Sequence, residues 1–109
     1  MQLERHRARR YPFCASIELT DLESETQTKA QTSDLSLFGC HVDALKLLSA
    51  GTKVRIKISH RSESFEALGN VVYSLQNHGM GIHFADIEPN EQLVLDKWLA
   101  ERRDPREQR

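Results

Sequence analysis

Two clusters in the 109-residue chain have the residue types and spacing to hold a phosphorylated purine. The first is Arg5-His6-Arg7-Ala8-Arg9-Arg10. Arginine presents a planar fork that grips phosphate, or the O6/N7 edge of guanine, through two hydrogen bonds at once. Arg5 and Arg9 stand four apart, and residues 1–10 hold four arginines against Glu4 alone, a net of +3. The second cluster is Asp34-Leu35-Ser36-Leu37-Phe38-Gly39. An aspartate accepts from guanine N1–H and its exocyclic amine, and a serine hydroxyl two residues on donates to phosphate or base. Gly39 permits the tight, positive-φ backbone that would bring both groups to one surface. Each cluster also has a plainer reading. An Arg-rich decamer contains R-x-x-x-R cheaply, and D-x-S-x-x-G has the composition of an ordinary Asx or Ser turn. The latter arises by chance in roughly a few per cent of chains this long.

Catalytic constellations are poorly represented. There is no G-x-S-x-G, no P-loop and no G-x-G-x-x-G, and Gly79-Met80-Gly81 lacks a third glycine and a following helix. The five histidines (6, 41, 60, 78 and 83) show no helical metal-binding pair. His83 alternates with core positions and reads as solvent-facing. Cys14 and Cys40 read as buried free thiols, and Trp98 as a core residue. No enzyme, metal site or cofactor is expected.

The elements that must position the two clusters are mostly strands. Phe13, Ala15, Ile17 and Leu19 fall at alternate positions and predict a half-buried strand. Residues 26–32 read as an outer strand, and Cys40-His41-Val42 as a short one. Lys53 to Ile58 alternates cations with aliphatics. Phe65, Ala67, Val71 and Tyr73 continue the pattern, with Gly69 as a bulge or barrel corner, and Met80 to Phe84 alternates again. After Glu88-Pro89, Leu95, Trp98 and Leu99 form a helical stripe, stopped by Asp104-Pro105. Six short strands in so small a chain suggest a closed barrel or a sandwich. The expected organisation is one domain over residues 1–103 with a polar tail at 104–109.

Composition narrows the function classes. Fifteen Lys+Arg against 16 Asp+Glu give a net charge of −1, which excludes a polyanion-coating protein. No apolar run approaches the roughly 18 residues of a membrane span, and no apolar segment follows the basic N-terminus as a secretory signal requires. No membrane insertion and a cytoplasmic location are expected.

Taken together, the arginine cluster and Asp34-Leu35-Ser36-Leu37-Phe38-Gly39 make the sequence resemble the PilZ domain family. That family carries R-x-x-x-R before its first strand and a [D/N]-x-S-x-x-G loop about 20 to 30 residues later, consistent with one intervening hairpin. Tyr11-Pro12 and the Gly79-to-Phe84 segment also look like this family. The resemblance implies a mainly β fold, a six-stranded antiparallel barrel with a C-terminal helix. It also implies binding of the bacterial second messenger cyclic di-GMP. By that resemblance Arg5 and Arg9 hold guanine and phosphate, Asp34 and Ser36 complete those contacts, and Gly39 shapes the turn. In many members the second arginine stands immediately before the apolar-Pro segment. Here that place is Arg10, with His6 four residues earlier, so the arginine motif has two registers, Arg5/Arg9 and His6/Arg10.

The leading expectation is a non-catalytic cyclic di-GMP receptor whose arginine segment clamps onto the ligand and presents an altered surface to an effector protein. The alternative is a degenerate PilZ-like interaction module for motility or surface machinery that does not bind nucleotide. A third reading, binding of an RNA or single-stranded DNA polymer, draws on the stripe Lys53, Arg55, Lys57 and Arg61. Aromatics are only 6% of the chain, which leaves few stacking platforms, so no nucleic acid polymer is expected as a partner. The basic first ten residues contrast with residues 11–34, where Lys29 faces five acids for a net of −4. Such an arm can rest on acidic groups and exchange them for phosphates.

Overall fold

A computed structural model describes residues 8–103. Arg5, His6, Arg7 and the 104–109 tail lie outside the described residues. The strands are β1 (Tyr11–Pro12), β2 (Ser16–Asp21), β3 (Gln27–Leu35), β4 (Gly39–Asp43), β5 (Lys53–His60), β6 (Glu63–Leu75) and β7 (Gly79–Asp86), followed by helix α1 (Pro89–Arg102). All pairings are antiparallel, in the order β1-β3-β2-β5-β6-β7-β4, and a further β3–β4 pairing closes β2 to β7 into a six-stranded barrel. Among the described residues no helix is long and apolar enough to cross a membrane.

The period-2 segments turn the same side chains inward as their sequence predicts. Val54, Ile56 and Ile58 of β5 are fully buried, while Lys53, Arg55 and Lys57 alternate outward. Lys57 stands in register between Glu18 and Glu66, so this stripe is an interleaved, solvated strand face. β6 spans thirteen residues and bends through two register shifts against β7, the first at Leu68/Gly69. A Cβ on Gly69 would lie 2.2 Å from the His83 carbonyl oxygen, so the predicted corner is there because the neighbouring backbone comes close.

Helix α1 begins with Pro89 in its first turn, where a missing N–H costs nothing. Its stripe of Leu95, Trp98 and Leu99 is buried against the barrel. Trp98 packs 5.3 Å from the Phe13 ring and donates its Nε1–H to Glu63 Oε1 at 3.2 Å. A large aromatic is favourable here because its one polar group finds a partner.

Three expectations need correction. The first long strand begins at Ser16, because the chain crosses over at Phe13 to Ala15, and β1 is a separate two-residue strand on the end of β3 (Tyr11↔Leu35, Pro12↔Asp34). At the crossing, the buried Thr32 hydroxyl donates to the Phe13 carbonyl and accepts the Ala15 N–H at 3.0 Å, taking the place of ladder bonds. Residues 26–32 belong to a longer strand that continues through Asp34 and Leu35, so the aspartate is a strand residue. Cys40 is buried and Cys14 exposed, both as free thiols. Cys14 points outward because it alternates with the buried Phe13 and Ala15.

Candidate functional site

The β3–β4 connection is the seam where the barrel closes, and it carries the D-x-S-x-x-G residues. Ser36 closes the turn from inside: its N–H donates to the Gly39 carbonyl at 2.8 Å. The Ser36 hydroxyl donates to that same carbonyl and accepts the Phe38 and Gly39 N–H groups, each at 3.2 Å. The donor and both acceptor positions of the hydroxyl are thereby used within the loop. Gly39 differs from its expected role. It is not among the positive-φ glycines, which are Gly51 and Gly79. A Cβ at Gly39 would lie 2.0 Å from the Ile82 carbonyl oxygen, so glycine is required for the close approach of β4 to β7.

Asp34 stands at the end of β3 with its carboxylate partly exposed. Its Oδ1 accepts from Arg10 Nη1 at 2.8 Å and from the His41 backbone N–H at 3.0 Å. Beside it the Cys40 thiol has its pKa pushed well above the usual range, first by burial and then by the negative charge of Asp34. Cys40 is therefore a packed, protonated side chain.

Adjacent arginines part company at this point. Arg10 faces a cleft of about 400 Å³ that is also lined by Ser36, Phe38, Gly39, Val72 and His83. Arg9 lines a groove of about 540 Å³ on the other flank of the loop, with Tyr11, Leu37, Leu99 and Arg103. An extended segment turns successive side chains to opposite sides, which separates neighbours in sequence. Of the expected site residues, the fold unites Arg10, Asp34, Ser36 and Gly39. It sets Arg9 toward the helix, and Arg5 is outside the described residues.

Val72 and Phe38 line the cleft with no signal for it in the sequence, and the alternation of His83 marks it only as solvent-facing. His83 is indeed exposed, and it sits opposite Gly39 in the β4–β7 register. The signal for His83 was its outward alternation; its partner across the ladder is set by a long-range pairing. His41 is committed elsewhere. Its Nε2 donates to the His78 carbonyl, an acceptor only, at 2.6 Å, and its Nδ1 shares a hydrogen bond of 2.7 Å with Tyr73 OH. The Tyr73 ring reaches it by lying across Gly81, where a Cβ would come within 2.1 Å of the ring. Among the described residues no group of three or more His, Cys, Asp or Glu is placed to hold a metal ion. A wider concavity of about 840 Å³ between residues 43–47 and 74–79 has Lys46, His78 and Asp43 on its walls but neither arginine of the arm.

The PilZ domain family model matches residues 4–101. No curated protein sequence matches the chain. Among solved structures, the chain superimposes on the PilZ domain of YcgR from Escherichia coli, determined with c-di-GMP, with a TM-score of 0.70 and 14% identity, covering 90% of this chain and 91% of that one. The PilZ domain of CeSA from a cellulose-synthesizing bacterium gives a TM-score of 0.66 and 19% identity, covering 85% and 96%. The Bacillus subtilis inhibitor of motility MotI/DgrA gives 0.69 and 15%, covering 90% of this chain but 50% of that one, so the chain spans half the length of that relative. At these identities the structures agree in fold, while the family match runs through the arginine segment, the seam loop and most of the helix. The chain belongs to the PilZ domain family.

Proposed function

We propose that the chain is a cyclic di-GMP receptor that acts on an effector protein in the bacterial cytoplasm and catalyses nothing itself. The observation that carries this reading is the contact of Asp34 with Arg10, the arginine that lines the 400 Å³ cleft. A guanine offers Asp34 its N1–H and amine donors in place of the guanidinium, and a ligand phosphate offers Arg10 a bidentate acceptor in place of the carboxylate. Each partner of the ion pair is thus satisfied by a different part of one ligand. That differential contact is what a ligand needs to shift an arm between two positions. Ser36 and Gly39 hold the turn against which the base rests. Arg9, with Arg5 upstream, belongs to the part of the arm that closes over the ligand. The ligand-bound YcgR PilZ domain supports the class of ligand through its shared fold and family.

The test is titration calorimetry with cyclic di-GMP on the wild type, Arg10→Ala and Asp34→Ala. Binding by the wild type, weakened in both variants, supports the assignment. Heat unchanged by either substitution overturns it.

One observation favours the second reading, an interaction module without nucleotide: Arg9 lines the groove between the seam loop and the helix and not the cleft that Arg10 lines. The MotI/DgrA likeness points to motility as a setting for such a module. A folded wild type that gives no heat with the dinucleotide would select it.

A further inference from the structure

The chain has seven aromatic side chains. Phe13, Phe65, Phe84 and Trp98 are buried, Tyr11 and Tyr73 are half-buried, and Phe38 alone is exposed, at 40%. A single exposed apolar side chain is ordinary on a protein surface. What distinguishes Phe38 is its position and its support. It stands on the seam loop and lines both the Arg10 cleft and the Arg9 groove. Its backbone is pinned on both sides: the N–H donates to Ser36 Oγ at 3.2 Å, and the carbonyl accepts the Phe84 N–H at 2.8 Å. The ring is therefore offered to solvent from a base hydrogen-bonded on both sides, in the cleft that Arg10 lines and to which Asp34 is joined through Arg10. Such preorganisation lowers the entropy lost on binding.

We propose that Phe38 is the stacking platform for a guanine base of the ligand held by Arg10 and Asp34. This rests on the receptor reading above and adds to it the residue that binds the face of the base. A flat purine covers the ring and excludes water from the Arg10–phosphate contact next to it. Stacking is indifferent to the base's edge, so Phe38 supplies affinity while Asp34 reads guanine.

The experiment compares cyclic di-GMP binding by the wild type, Phe38→Leu and Phe38→Tyr. It also follows the Phe38 ring protons by NMR on addition of the dinucleotide. Leucine preserves bulk and hydrophobicity without a π-face, and is expected to weaken binding by about 5- to 150-fold, the range of one stacked base. Tyrosine restores the face and is expected to bind like the wild type. The ring protons should move upfield on binding, a signature that a merely structural role would not give. Unperturbed ring protons, or a leucine variant with wild-type affinity, overturn the platform while leaving the receptor reading intact. A wild type that binds no dinucleotide overturns both.

Discussion

Arg10 Nη1 lies 2.8 Å from Asp34 Oδ1, joining the arm that enters the barrel to the end of β3. Arg10 has a half-exposed side chain and Asp34 a less exposed one. An ion pair this open to water contributes little to stability, about 0–1 kcal/mol. Arg10→Ala should therefore leave the urea midpoint almost unchanged while weakening dinucleotide binding by at least about tenfold, the scale of a charged hydrogen bond. Asp34→Ala should cost more in the same unfolding titration, about 1 kcal/mol, because the His41 N–H loses its acceptor too.

Gly39→Ala should be among the most damaging single-methyl changes in the protein. The new Cβ would meet the Ile82 carbonyl oxygen at 2.0 Å, and that oxygen is backbone within the β4–β7 ladder, with no side-chain rotamer to yield. A loss of about 3 kcal/mol or more is expected in chemical denaturation. Gly51→Ala is the instructive contrast: nothing lies within 4 Å of its Cβ, and the cost comes only from a φ of +94°, about 1–2 kcal/mol. Equal losses at the two positions would contradict this distinction between crowding and backbone strain.

Ser36→Ala removes the acceptor of two backbone N–H groups in a buried turn. It should destabilise by about 1–3 kcal/mol. Because Phe38 owes its fixed position to one of those bonds, the dinucleotide affinity should fall in the same variant. Amide exchange at Phe38 and Gly39 should quicken, and unchanged exchange there would show that the clasp is not what holds the loop.

Acid should loosen the junction of helix α1 with the barrel. The His60 ring lies 4.6 Å from Phe13 and 5.6 Å from Trp98, and its buried Nε2 has no hydrogen-bond partner among the described residues. Its pKa is lowered from 6.5 by burial, then by Arg61 and Arg102, against weaker opposing effects of Glu101 and Glu63. The folded state thus favours neutral His60. The stabilisation is complete above the unfolded value near 6.5 and is lost as pH falls from there toward the lower folded value. Glu63 acts in a separate window: Lys97 and Trp98 Nε1–H hold its carboxylate below 4.5, and its contribution disappears only as pH falls below that value. Melting followed by Trp98 fluorescence should show a drop between pH 7.5 and 5.5 that is smaller in His60→Phe. An equal drop in both proteins would exclude His60 as its source.

Much of this architecture is legible in the residues, and the failures have a common cause. Val54, Ile56 and Ile58 announce an inward strand face without help, and Leu95, Trp98 and Leu99 announce a helix, because each pattern is set by local periodicity. The site depends on pairings between distant segments. Which of Arg9 and Arg10 meets Asp34 follows from Tyr11 pairing with Leu35. The requirement for glycine at position 39 follows from its pairing with His83, 44 residues away in β7. Neither pairing leaves a trace in composition or spacing. Residue types suggest a chemistry, and the ladder decides which arginine meets Asp34.

Strand β1 contains two residues, and it joins the sheet only at the end of β3. Its ladder is outside the six strands that close the barrel. Lifting the arm off the seam breaks a two-rung attachment and opens no edge of the barrel itself. Under the proposed receptor function, the motion asked of the arm is a local detachment, with the core at Ile17, Ile56 and Trp98 left standing. A ligand bound as proposed would be taken up and released on those terms, each cycle spending a few hydrogen bonds and never the fold.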